Sequence, residues 1–164
     1  MKNFLFITIA LLGFIQINAQ NTVLQSFYNN HKDIEDVASF NMGGNFLKNM
    51  TMGDDKEGKI QSTLDQLTIL NIPFAKVSSS ALSNLKKAIK KDRYEELITY
   101  RNGKENIHVY IKEKKDYIEE LLVMVENTSE DLLLVNLSGM ILFEDLKHID
   151  IDGRAGEVIR ELEH

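Results

Sequence analysis

The chain is 164 residues long, with 19 basic and 25 acidic side chains, a net charge of −6 and no cysteine. That length suits one domain with a real core, and the acidic balance is poorly suited to a polyanion such as nucleic acid. The missing thiol excludes disulfides, thiolate metal sites and cysteine nucleophiles.

Lys2 precedes an apolar run, Phe4 to Ile17, broken only by Thr8, Gly13 and Gln16, and Ile17-Asn18-Ala19 ends on a small residue. This is the layout of a cleaved secretory signal. At about fourteen residues the run is shorter than the roughly 20 that span a bilayer. Residues 1–19 are therefore expected to be a signal peptide and 20–164 a single domain, with no transmembrane span in the mature protein. Removing the signal takes away one lysine, leaving 18 basic against 25 acidic residues and a charge of −7. Gln20 stands where a lipoprotein needs Cys, so the product is expected to be periplasmic or secreted and not lipid-anchored. A secreted eukaryotic domain of this size would usually carry disulfides, which favours a bacterial envelope.

In the mature chain, Val23, Leu24, Phe27 and Tyr28 have helical spacing and predict a helix over 22–32. Residues 37–42 predict a strand ended by Gly43-Gly44. Phe46, Leu47 and Met50 suggest a turn or two of helix before a polar loop at 53–58. Ile60, Leu64 and Leu67 stand at i, i+4 and i+7 and predict a helix running into a short strand, 67–72, which Pro73 would end or place at an edge. Ser78, Ser79 and Ser80 offer N-cap hydroxyls for a helix whose apolar face is Leu82, Leu85, Ala88 and Ile89. Lys86, Lys87, Lys90 and Lys91 occupy its remaining faces near the C-terminus, where cations complement the helix dipole.

From Tyr94 the period becomes two. Arg101-Asn102-Gly103-Lys104 supplies an Asn-Gly hairpin signal, with strands expected at about 94–100, 107–112, 117–126 and 132–138. Leu121–Val125 and Leu132–Val135 are apolar on both faces, which places them centrally in a sheet. The expected fold is α+β: a four-stranded antiparallel meander over about 94–138 with helices packed on it, preceded by a helix/strand N-terminal half. After Gly139, residues 143–149 and 154–163 are expected to be short helices.

None of the chemical constellations is specific. His148-Ile149-Asp150-Ile151-Asp152-Gly153 resembles part of a calcium loop, but it would place His148 at the first ligand position and Ile159 at the glutamate position. A helix-capping turn accounts for it better. Asp54-Asp55-Lys56-Glu57 suits a helix N-terminus, and nothing marks those carboxylates as a buried catalytic pair. The four histidines, 31, 108, 148 and 164, show no i,i+4 pair, so neither a metal site nor a cofactor is expected, not even from His31-Lys32-Asp33 with Glu35-Asp36. Ser78–Ser80 cap a helix, and Ser138 before Gly139 reads as a turn. No catalytic signature emerges, and the protein is expected not to be an enzyme.

Two surface features remain. Lys86, Lys87, Lys90, Lys91 and Arg93 form a basic face that opposes the acidic whole; it is either a solvated helix face or a contact for an anionic partner. Tyr94, Tyr100, Tyr110 and Tyr117 with His108 are either ordinary strand residues or one aromatic face suited to an interface.

Several segments carry a family likeness. They are Asn18-Ala19-Gln20, the strand 37–42 running into Gly43-Gly44-Asn45-Phe46, the helix expected at 57–67, the strand start Tyr94-Glu95-Glu96-Leu97, and Leu137-Ser138-Gly139-Met140-Ile141. Together they resemble a family of small exported proteins of flavobacterial-type Gram-negative organisms, domain of unknown function 4252. The likeness covers most of the mature chain and implies no functional residue. It implies an envelope setting, often beside extracytoplasmic sigma factors, and hence an envelope-stress or signalling context. Many members look like lipoproteins, from which this chain departs. The expectation from sequence is a non-enzymatic envelope protein that binds another envelope protein or an anionic or apolar ligand. The alternative is a carrier or sensor of an apolar, lipid-like ligand held between sheet and helices.

Overall fold

The computed structural model describes residues 23–43, Leu47 and residues 62–148. The expected signal peptide, the polar loop at 53–58 and the closing helix at 154–163 lie outside the described residues. So does the short helix around Phe46 and Met50, except that Leu47 is helical and buried. Among the described residues no helix is long and apolar enough to cross a membrane.

Helix α1, Val23–His31, follows the expected spacing and buries Leu24, Phe27 and Tyr28. Its last turn is closed by His31, whose Nδ1 donates to the Phe27 carbonyl at 2.8 Å while the ring stacks on Phe27. Strand β1, Ala38–Gly43, then pairs antiparallel with β2, Thr63–Pro73.

β2 corrects the sequence reading: residues 63–66 are strand, not the end of a helix. The helical spacing of Leu64 and Leu67 has a specific origin. The β2–β6 register shifts between Leu64 and Gln66, and a bulge adds one residue to one strand. Leu64 and Leu67, three apart, therefore pack with Ile69 against the same core cluster. A bulge had imitated a helical period.

Helix α2, Ser79–Lys91, is capped by Ser78, whose hydroxyl accepts from the Ala81 amide at 3.1 Å. Leu85 and Ile89 are its buried residues. The helix stops where Arg93 takes the left-handed conformation (φ +65°) and the Tyr94 amide donates back to the Ile89 carbonyl, the pattern usual at helix C-termini.

The expected meander follows: β3 (Glu95–Asn102), β4 (Glu105–Lys114), β5 (Tyr117–Asn127) and β6 (Asp131–Ile141). Asn102 pairs with Glu105, so the β3–β4 turn is Gly103-Lys104, one residue beyond the expected Asn-Gly pair. Gly103 supplies the positive φ, +61°, that such two-residue turns require. Ser138-Gly139 is not a turn; β6 runs through it to Ile141.

Among the described residues the sheet has six strands in the order β1-β2-β6-β5-β4-β3, two more than the expected four-stranded meander. The pattern of β6 demanded a neighbour on each side, and β2 is the second. β5 and β6 lie at the centre, as their doubly apolar sequences require. One sheet face carries Leu70, Ile72, Tyr110, Leu122, Met124, Leu132 and Leu134, packed with α1 and α2. The other carries Ile107, Val109, Ile111, Ile118, Leu121, Val123, Val125, Val135, Leu137 and Ile141. Beyond β6, the short helix expected at 143–149 is a 3₁₀ helix, Phe143–His148. There the buried Asp145 accepts from the Ser62 amide at 2.8 Å and its hydroxyl at 2.6 Å.

Candidate functional site

The basic residues of α2 border a groove. Because α2 starts one residue after the Phe74–Lys76 3₁₀ turn and Val77-Ser78, its first turns lie beside Phe74 and Val77. An open depression of about 340 Å³ results, lined by Phe74, Val77, Ser79, Leu82, Ser83, Lys86, Lys87 and Lys90. Ser79, Ser83, Lys87 and Lys90 fall at i, i+4, i+8 and i+11, close to one line along the helix. Hydroxyls thus lead into ammonium groups along one wall, with half-buried apolar side chains opposite. The volume falls at the lower end of small-ligand sites.

The lysines differ in what they already hold. Lys86 Nζ lies 2.7 Å from Glu126 Oε1 and donates to Oε2 at 2.9 Å. Among the described residues no carboxylate pairs with Lys87, Lys90 or Lys91, and Lys87, Lys90, Lys91 and Arg93 are exposed. Lys87 and Lys90 are the groove's available cations. Lys91 does not line it, and Arg93 serves the helix terminus.

Through Lys86 and Glu126 the groove adjoins a largely buried polar seam. Glu126 is 4% exposed and His108 9%. His108 Nε2 is 3.7 Å from Glu126 Oε1, and Nδ1 donates to Glu96 Oε1 at 2.7 Å. That hydrogen bond, with a second from Thr99, holds the Glu96 carboxyl below the usual carboxylate range. Tyr110 lies beside the His108 ring; burial first, then the Glu96 and Glu126 carboxylates, pushes its hydroxyl up to about 12. Further along β5, Tyr94 donates to Glu120 Oε2. Lys112 reaches Glu120 Oε1 at 3.4 Å, Asp92 at 3.6 Å and the face of the Tyr94 ring at 5.5 Å. Burial, ahead of the Glu120 charge, drives the Tyr94 hydroxyl well above its ordinary value. Both ring nitrogens of His108 are turned to carboxylates, the buried Glu126 and the exposed Glu96. The seam therefore ties α2 and edge strand β3 to the central sheet.

The four tyrosines do not share a face. Tyr94 and Tyr110 are buried in the helix-side core. Tyr100 pairs with Ile107 and so points to the opposite side of the sheet, 39% exposed. Tyr117 is half-buried at the start of β5 and faces a separate open polar depression with Lys114, Glu119 and Glu120. Physically, the tyrosines sit on strands whose relative parity a single sequence does not reveal, and the β3 register shifts between Glu96 and Ile98. Of the ten residues singled out from sequence, the structure gathers Lys86, Lys87 and Lys90 at the groove, with Tyr94, His108 and Tyr110 in the seam that Lys86 joins through Glu126.

Sequence reasoning missed Phe74, Val77, Glu96, Glu120 and Glu126. A signal existed for two of them: Glu120, Leu122, Met124 and Glu126 alternate along one face of a strand whose centre, Leu121–Val125, is wholly apolar. A buried carboxylate at each end of such a strand requires a partner. Among the described residues no three of His, Asp and Glu converge as a metal-binding set.

No curated protein and no solved structure matches the chain significantly. Residues 28–149, which run from the end of α1 past β6 and so carry the groove, the seam and the whole sheet, match the family model described as a domain of unknown function, DUF4252, and the chain belongs to that family.

Proposed function

We propose that the protein is an exported, non-enzymatic interaction protein of the bacterial envelope, and that the α2 groove is its contact surface. The partner it fits carries an anionic group for Lys87 and Lys90 and an apolar portion for Phe74, Val77 and Leu82. The observation that carries this reading is the pair of exposed lysines beside an apolar wall, on a chain that is otherwise acidic. Lys86 sets the edge of the site while its charge is held by Glu126. The family likeness extends the proposal to an envelope-stress or signalling setting, and the N-terminal pattern to a periplasmic or secreted product.

A carrier that holds an apolar ligand between sheet and helices is the second reading. The space at that interface favours it less: the apolar gap among Leu24, Tyr28, Thr68, Leu70, Leu134 and Asn136 is about 10 Å³. A neighbouring cavity of about 90 Å³ is lined mainly by polar side chains, Gln66, Thr68, Glu120, Asn136 and Ser138 among them.

A photo-crosslinking amino acid placed at Ser83, within the groove, tests the proposal in living cells of the source organism, with Glu113 as a distant control position. The expected result is a discrete adduct at Ser83, absent from Glu113 and lost when Lys87→Glu and Lys90→Glu are added. No adduct, or one indifferent to those two changes, would overturn it.

A further inference from the structure

The two edges of the sheet are protected unequally. β3 carries Glu95, Glu96 and Arg101, and its register is broken between Glu96 and Ile98. Charges and bulges are the devices that keep an edge from pairing with another chain. β1 has neither. Its six residues, Ala38-Ser39-Phe40-Asn41-Met42-Gly43, contain no charge and no proline, and pair with β2 without a register shift. Among the described residues no strand lies on its outer side, and Phe40 at its middle is 44% exposed.

We infer that β1 pairs with β1 of a second copy of this chain, antiparallel about a two-fold axis through Phe40. The sequence is self-complementary in that register. Residues opposite each other in antiparallel strands share a face, so Phe40 meets Phe40, Ala38 meets Met42, and Ser39 meets Asn41. Apolar residues meet on the face of Leu67 and Ile69, and polar residues meet on the helix-bearing face. A register displaced by one residue would place Phe40 opposite Asn41 and the helices of the two copies on opposite sides. The pairing is isologous and closes at two copies, joining two six-stranded sheets into one. It does not depend on what the groove binds. Six residues of strand make a small interface, so the dimer is weak and concentration-dependent.

Sedimentation velocity from about 1 to about 100 µM tests this, using protein expressed from the full sequence and purified as the host processes it. The wild type is expected to rise from monomer toward dimer. Phe40→Lys and Phe40→Glu, each confirmed as folded by circular dichroism, place like charges together on the axis and should each weaken association at least about tenfold. An equimolar mixture of the two variants should associate again, because the axis then joins opposite charges. A wild type that stays monomeric throughout overturns the inference and leaves the edge to a foreign strand. Undiminished association of Phe40→Lys, or a mixture no better than its components, overturns it as well.

Discussion

Replacing Gly139 by Ala tests the account of the β2–β6 junction. A Cβ at Gly139 would lie 2.1 Å from the Thr63 carbonyl oxygen, 3.0 Å from Leu64 Cα and 3.1 Å from the Asp65 amide nitrogen. All three are backbone atoms, so no side chain can swing away. The residue also holds φ +152°, which costs a non-glycine residue on the order of 1–3 kcal/mol. Relieving the overlap requires β2 to move where Leu64 faces Gly139 and Thr63 faces Met140. That would weaken about two ladder hydrogen bonds at roughly 0.5–1.5 kcal/mol each. The expected loss is about 2–6 kcal/mol in urea unfolding, centred near 4. Gly103→Ala is the control. Gly103 has φ +61° but nothing within 4 Å of a built Cβ, so only the left-handed penalty applies, about 1–2 kcal/mol. If the two variants lose the same stability to within about 0.5 kcal/mol, the steric argument at the bulge is refuted.

The remaining predictions concern the seam and the helix end. Lys86→Met should cost about 1–2 kcal/mol in urea unfolding, less than the 3–5 of a fully buried pair because the lysine is part-exposed. Adding Glu126→Leu should recover most of that loss; a double variant worse than the sum of the single changes would show that Glu126 acts through His108 instead. Arg93→Gly should raise stability by about 1 kcal/mol, since it removes a left-handed non-glycine residue; an unchanged or lower unfolding midpoint would contradict that. Tyr110 has its folded-state value raised from 10.0 to about 12. Its contribution is fully present below pH 10 and is lost as pH rises through 12, so Tyr110→Phe should flatten the fall in melting temperature across that window. Glu96 is shifted the other way. Its contribution is present above the ordinary carboxylate range and is lost as pH falls through its depressed folded value, so His108→Gln should flatten the acid limb of the melting-temperature profile.

The legibility of the fold followed the regularity of its hydrogen bonding. α1 and α2 keep one period from end to end, and the four strands of the meander keep theirs over most of their length, their register shifts lying near the strand ends at Glu96/Ile98, Lys112/Glu113 and Ile118/Glu120, so residue spacing located each of them. β2 was lost because its bulge puts Leu64 and Leu67 on one face with three-residue spacing. Gly139 on the partner strand, which was read as a turn, was the other half of the same feature. The two misreadings have one physical cause: a close approach that demands both an extra residue in β2 and a missing Cβ in β6. Each is ambiguous in one dimension, and their pairing appears only when the strands lie side by side.

The candidate site was legible only as charge. Four lysines on one helix were visible in the sequence, but what distinguishes them is the partner each finds across the fold. Glu126 lies 40 residues away from Lys86 in sequence and takes up its charge, while Lys87 and Lys90 stay available beside Phe74 and Val77. A substitution series can separate these roles. Lys86→Met should act on stability and leave groove binding largely intact, whereas Lys87→Glu with Lys90→Glu should abolish binding and leave unfolding within about 0.5 kcal/mol of wild type. Measuring both quantities on both variants is decisive, because a purely solvated helix face would move neither binding curve. A site centred on the buried seam would instead lose binding with Lys86→Met and His108→Gln, and keep it when the two exposed lysines are reversed.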